Sequence, residues 1–206
     1  MEYHFTPGTV ALAPLIVLHE IDVAYIPRRV DFASAAQRSD GYRAINPKAR
    51  VPTLVVDGEV LTETPAILAY LAQTHPGARL IPDDAMGFAQ VQSVNAYLCA
   101  TVHVAHAHRM RGARWVDGED HEAAMRAKVP QTMTACFAHI EKHMLRGPWV
   151  MGERYSIADP YLYTIAGWLK GDGVDIAEFP GVAAHVAAME ERPAVQAANA
   201  VMAEPG

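Results

Sequence analysis

The sequence predicts an α/β unit over residues 1–76, a linker at 77–83 and an all-α unit over 84–206. Three observations lead there. Short β-type runs fall only in the first third of the chain, interleaved with apolar segments of helical length. Asp57-Gly58, lying between Thr53–Val56 and Glu59–Leu61, is the strongest short hairpin signal. After Pro82 the β signal fades, and Ala, Met and Val recur at helical spacing over long stretches.

Taken in order, Tyr3–Phe5 is a short strand leading into a Thr6–Val10 loop. Ala11 to Glu20 is a mostly apolar helix, with Pro14 tolerated in its first turn. Ala24 to Val30 is β-like. Ala33 to Pro47 reads as irregular, with Gly41 and Asn46-Pro47 as breakers. The hairpin follows, then a helix over Thr64–Gln73. Strand–helix–strand, then hairpin–helix, is the order of a thioredoxin-like unit, whose first two strands are joined through a helix and run parallel. Beyond the Pro- and Gly-bearing linker, helices are expected over Met86–Arg109, His121–Met144, Ser156–Lys170 and Val182–Arg192, with a last one from Pro193. Gly112–Asp120 reads as a loop. Ser156 and Asp159 form a capping box for the third of these helices.

The bulk numbers narrow the partners. The chain has 206 residues, 51% hydrophobic and 19% charged, as a globular protein does. Its formal net charge is −6, without a block of consecutive Lys or Arg, so neither nucleic acid nor an anionic membrane is expected as a partner. The two cysteines, Cys99 and Cys136, form neither a CxxC nor a zinc pattern and read as buried helix residues in a reducing compartment. Met1-Glu2-Tyr3-His4 carries no basic leader, and the apolar stretch after it is broken by Pro7, Gly8 and Pro14. A cytoplasmic protein is the expectation.

The segment from Arg50 to Ile67 carries the functional information. If the Val51-Pro52 bond is cis, which only proline makes accessible, the Val51 N–H and C=O are turned away from the sheet and can pair with an extended peptide. Thr64 and Pro65 open a helix whose unpaired N–H groups and dipole attract a carboxylate. Glu63 can answer an ammonium. A γ-glutamyl peptide presents both groups.

This arrangement resembles the glutathione transferase superfamily, nearly from end to end. Tyr42-Arg43-Ala44-Ile45-Asn46-Pro47-Lys48 precedes Val-Pro as in bacterial members. Thr6 to Pro14 is similar to their first active-site loop, and Ser156-Ile157-Ala158-Asp159-Pro160 to their C-domain capping box. The beta class is the nearest group, with one departure: its Cys-Ser pair is replaced by Val10-Ala11. The resemblance implies a glutathione site built from Val10, Ala11, Arg50, Val51, Pro52, Glu63 and Thr64. The basic residue that binds the glycine carboxylate in the beta class is replaced by Ala35, leaving Arg38 or Arg50 to substitute. Glutathione is then a co-substrate and no resident cofactor is expected. A homodimer is implied as well.

The thiol side has fewer candidates. A free thiol with a pKa of about 8.5 is roughly 3% ionised at pH 7. Lowering that pKa to about 6.5 takes about 2.7 kcal/mol of extra stabilisation for the anion. Val10 and Ala11 can offer only backbone amides. Thr9 is the nearest hydroxyl, and two roles are open to it: hydrogen-bond donor to the thiolate, or turn and cap residue.

On the first long helix after the linker, His103 matches the histidine that faces the thiol in beta-class members. His103 and His106 are three apart and share a helix face, whereas His108 points elsewhere. His106, Met110, Tyr163 and Trp168 are the expected lining for an electrophile, with Tyr97 and Trp115 as further aromatic candidates. Trp168 stands where the class places a hydrophobic-site tryptophan. No metal is expected, because neither the His103/His106 pair nor His139/His143 brings a third ligand in sequence. The function implied is a glutathione transferase that activates the thiol for attack on a small apolar electrophile. Its rivals are a glutathione-dependent lyase, isomerase or disulfide reductase, and a non-catalytic binding or regulatory protein on the same scaffold.

Overall fold

Tyr3 and Leu54, both fully buried, face each other in register at the middle of a four-stranded sheet. The computed structural model describes residues 1–204. The strands are β1 (Glu2–Phe5), β2 (Ile26–Arg29), β3 (Thr53–Val56) and β4 (Glu59–Thr62), in the order β2-β1-β3-β4. β1 and β2 run parallel, and the other two pairings are antiparallel. The β3–β4 turn has positive φ at both Asp57 (49°) and Gly58 (87°), the geometry an Asp-Gly hairpin requires.

Helix α1 (Leu12–Glu20) connects the parallel pair and buries Ala13 through Leu18. A helix apolar on every side must be covered on every side. α3 (Thr64–Thr74) packs against α1, and so does the last helix, α9 (Pro193–Ala203). Arg192, just before α9, holds Glu20 at the end of α1 with two bonds, of 2.7 and 3.0 Å. The helical pattern of the sequence runs these C-terminal residues on with the all-α unit of 84–206. By compactness the chain divides instead into Met1–Pro82 together with the residues from Glu190 onward, and Asp83–Met189.

Residues 33–47, expected to be irregular, contain a short 3-10 turn at Ala36–Arg38 and helix α2 (Asp40–Ile45). The Ser39 hydroxyl caps α2 by accepting the Tyr42 N–H (3.2 Å), and Asp40 favours its first turn. Gly41 sits inside the helix on its exposed side, so it weakens the helix without ending it. Asn46 closes the helix, as the Asn-Pro pair leads one to expect.

The second unit is built on α4 (Ala85–Tyr97), α5 (His103–Ala107), α6 (Glu119–His139), α7 (Ala158–Ala166) and most of α8 (Pro180–Glu190). Its core includes Leu98, Val102, Met133, Phe137, Tyr161 and Ile165. The first two long helices differ from straight helical rods. α4 passes into α5 through a π turn at Leu98–Val102, and α6 ends in another at Ile140–Met144. A π turn adds residues to the turn and rotates every later side chain, which a 3.6-residue pattern cannot show. The loop at 112–120 contains a 3-10 turn at Gly112–Arg114, and α6 starts within it at Glu119. α7 stops at Ala166, before Gly167, and a 3-10 turn carries the chain through Leu169–Asp172. No helix among the described residues is long and apolar enough to cross a membrane.

Ser156 and Asp159 make their box in altered form. The Asp159 carboxylate accepts the Ser156 N–H (2.7 Å) and hydroxyl (3.1 Å), while the Ser156 oxygen takes the Ala158 N–H (3.3 Å) instead of the Asp159 one. Asp159 also accepts the Val150 N–H (2.7 Å), so the box ties a loop as well as capping a helix.

Candidate functional site

The Arg50–Pro52 corner is held from beneath by buried polar side chains. The Asn46 amide donates to the Arg50 carbonyl (2.8 Å) and to Thr53 Oγ1 (2.9 Å), and its own oxygen accepts the Lys48 N–H (3.1 Å). The Tyr42 hydroxyl donates to the same Arg50 carbonyl (2.7 Å) and lies 3.1 Å from Thr53 Oγ1. Burial pushes the Tyr42 phenol up, keeping it neutral and able to donate. The Val51-Pro52 bond is cis, as expected. Neither the N–H nor the C=O of Val51 has a partner among the described residues. Pro52 is buried, Val51 half-buried and Arg50 exposed.

At the start of α3, Thr64 is 4% exposed, yet its hydroxyl has no partner among the described residues and is not sealed from solvent. Its N–H is likewise unpaired, as first-turn amides are. Glu63 stands just before the helix with φ 72° and ψ 121°, a conformation that costs a non-glycine residue on the order of 1–3 kcal/mol. Its carboxylate pairs with Lys48 (2.7 Å), and Lys48 also donates to Thr62 Oγ1 (2.6 Å). Both partners of that ion pair are about half exposed, so a competing ammonium can displace the lysine at little cost.

In the Thr6–Ala11 loop, the Thr9 hydroxyl donates to the Thr6 carbonyl (2.6 Å) and accepts the Ala11 N–H (3.3 Å). Of the two roles open to it in sequence, this is the turn-and-cap one. Donating to a thiolate would require giving up the Thr6 bond. The Val10 N–H makes no bond to the described residues, and the Val10 and Ala11 side chains are buried. Ala35 has φ 57° and no basic side chain, while Arg38 and Arg50 are exposed.

In the second unit the structure gathers three of the expected residues. The His103 and His106 rings lie 5.0 and 4.2 Å from the Trp168 ring, the second nearly parallel at 21°. His108 turns away to meet Trp115 edge-on. Met110 is 67% exposed and Tyr163, on α7, is half-buried. Tyr97 lies against His139 (5.1 Å), and burial together with the Cys136 thiol pushes its phenol up to about 12. Cys136 is buried and Cys99 half-buried; both are free thiols. Among the described residues no three His, Cys, Asp or Glu side chains converge to hold a metal ion.

Sequence reasoning missed two participants here. Asp172, buried to 3%, contacts His106 Nδ1 through both carboxylate oxygens, at 2.9 and 2.7 Å. Arg109 Nε lies 3.3 Å from Asp172 Oδ1 but off the hydrogen-bond line, so its effect there is Coulombic. The guanidinium rests over Gly171, where a β-carbon would collide with Nη1. His106 and Asp172 are 66 residues apart, and no local pattern links them.

Comparison with known proteins converges on one family. Residues 2–73 match the family model described as glutathione S-transferase, N-terminal domain, and residues 122–188 the model for the C-terminal domain. The chain is 29% identical over 200 residues to glutathione S-transferase GstA of Escherichia coli, covering 95% of this chain and 96% of that one. It is 27% identical to the maleylacetoacetate isomerase of Pseudomonas aeruginosa, covering 94% and 95%. A solved Sulfitobacter glutathione transferase homologue with bound glutathione superposes with a TM-score of 0.95 at 46% identity, over 97% of each chain. With a thioredoxin-like unit, an all-helical unit and both family models matched in order, this chain belongs to the glutathione S-transferase family.

Proposed function

We propose that the chain binds glutathione in its first unit and uses the thiolate to attack a small electrophile. The observation that carries this is the set of unsatisfied groups at one end of the sheet: the Val51 N–H and C=O, and the Thr64 N–H and hydroxyl beside Glu63. An extended peptide backbone takes the first pair. A γ-glutamyl carboxylate takes the second, and its ammonium replaces Lys48 on Glu63. Arg38 or Arg50 serves the glycine carboxylate. The loop amides, the Val10 N–H first, stabilise the sulfur anion, with Thr9 shaping the loop. His103, His106, Met110, Tyr163 and Trp168 form the electrophile side of the reaction. We expect a cytoplasmic homodimer, as is usual in the family.

A titration calorimetry experiment with glutathione, followed by a conjugation assay over a panel of electrophiles, tests the reading. Expected are one site per chain and turnover of at least one electrophile. Absence of glutathione binding sinks the site. Binding without turnover favours the regulatory alternative. The isomerase relative supports a second reading, cis–trans isomerisation through reversible thiolate addition to a conjugated double bond. Product analysis separates the two, since isomerisation returns glutathione unconsumed.

A further inference from the structure

We propose that Asp172 is a positioning residue that fixes His106 as the proton acceptor for a co-substrate bearing a hydroxyl or other donor group. The inference rests on the glutathione-dependent reading above and assigns chemistry to the second unit that this reading leaves open.

The argument starts from the carboxylate. An ionised carboxylate only accepts hydrogen bonds, so the ring nitrogen facing both Asp172 oxygens, His106 Nδ1, carries the proton. A neutral His106 then holds its lone pair on Nε2. Trp168 covers one face of the ring at 4.2 Å, and the His106 side chain is only 11% exposed. Yet Nε2 has no partner among the described residues and is not sealed from solvent. The ring is thus held by its Nδ1 edge and one face, with its reactive nitrogen left open.

A histidine serving the fold alone has no need of that opening. Carboxylate-oriented imidazoles with a free second nitrogen are general bases in hydrolytic enzymes, where the acid sets the tautomer and balances the charge that forms. The step here is a proton transfer. The Nε2 lone pair forms the new N–H bond, the donor's X–H bond breaks, and its electron pair stays on X. The imidazolium so formed lies against Asp172. Charged or titratable groups nearby include Arg109, 3.3 Å from Asp172, and His103, whose ring is 6.4 Å from that of His106. Arg109 keeps a positive charge beside Asp172 whether or not His106 has taken up a proton.

The tautomer is read directly by long-range 15N–1H correlation of histidine-labelled protein. In the wild type, His106 is expected as the Nδ1–H tautomer. In Asp172→Asn, whose amide can donate to Nδ1, the proton moves to Nε2. Activity is read on two conjugated enals that differ by one hydroxyl, 4-hydroxy-2-nonenal and 2-nonenal. The wild type should prefer the hydroxylated enal in kcat/KM. Asp172→Asn should lose at least about tenfold of that preference, a transition-state loss of about 1.4 kcal/mol. Its glutathione affinity in calorimetry should stay unchanged.

Should Asp172→Asn fail to fold, His106→Asn, which leaves Asp172 with Arg109, is expected to lose the same preference. A wild-type Nε2–H tautomer overturns the assignment. So does a preference unchanged in the variants, or failure of a glutathione-binding wild type to turn over either enal. Loss of glutathione binding in the wild type would instead overturn the site in the first unit, and the tautomer measurement would still judge Asp172.

Discussion

The second unit contains two Asp–His pairs that differ in one atom's surroundings. Asp159 and His185 meet at 3.0 Å through Nε2, and both side chains are wholly buried. Around them, Asp159 also takes the N–H groups of Val150 and Ser156 and the Ser156 hydroxyl. The far nitrogen, His185 Nδ1, is sealed in without a partner among the described residues, with the Trp149 ring edge-on at 5.9 Å. Asp172 and His106 meet at similar distances, but there the far nitrogen is open. The closed pair can only hold the fold. The open pair can exchange a proton with something else.

The same distinction runs through the first unit. Asn46 spends its amide hydrogens and oxygen on Arg50, Thr53 and Lys48, and is 1% exposed. The Thr64 hydroxyl, nearly as deep, is left open. Closed groups shape the corner, and the open hydroxyl is left able to pair with a ligand.

The comparison can be broken most directly at Asp159. Asp159→Ala strands two backbone amides and His185 in a buried site, and is expected to cost about 3–5 kcal/mol of stability in chemical denaturation. A loss below about 1 kcal/mol would mean that the closed pair is dispensable. Next is Glu63→Ala, which should weaken glutathione binding by about 1.5–3 kcal/mol, roughly 10- to 150-fold, with no loss of stability. Calorimetry and denaturation on the same variant check both halves, and a stability loss without an affinity loss would move Glu63 to the closed class.

Thr9→Val removes a closed hydroxyl. Its expected signature is about 1 kcal/mol of lost stability with the pH midpoint of conjugation unchanged. A raised midpoint in the pH–rate profile would show that the hydroxyl turns from Thr6 to the thiolate after all.

The smallest effect concerns His4, buried on β1, whose Nε2 has no partner among the described residues. Burial holds its pKa below the ordinary 6.5. As pH falls below about 6.5 the unfolded chain binds the proton first, so stability present above that value is lost towards the lower folded-state pKa. Denaturation midpoints should fall between about pH 7 and pH 5. His4→Phe should flatten that slope, and an unchanged slope would pass the effect to His19, also depressed by burial.

The first unit was largely legible in the sequence because its signals are local. Asp57-Gly58 sets a turn through two positive φ values, Val51-Pro52 marks a corner that only proline makes accessible, and an apolar helix after a short strand can only be buried. Where a local signal misled, another local signal was stronger: Gly41 reads as a breaker, yet Ser39 and Asp40 start α2 around it. Family resemblance pointed to the candidate glutathione residues because they too lie in short motifs.

Tertiary structure alone decided what each polar atom touches. It turned the Thr9 hydroxyl inward to Thr6, paired Lys48 with Glu63, and set α9 on α1. It carried Asp172, on a 3-10 turn past the end of α7, to a histidine 66 residues earlier. The physical reason is range. Backbone conformation follows from a residue and its few neighbours, whereas whether a buried polar atom is satisfied or open depends on chain segments brought together only by folding.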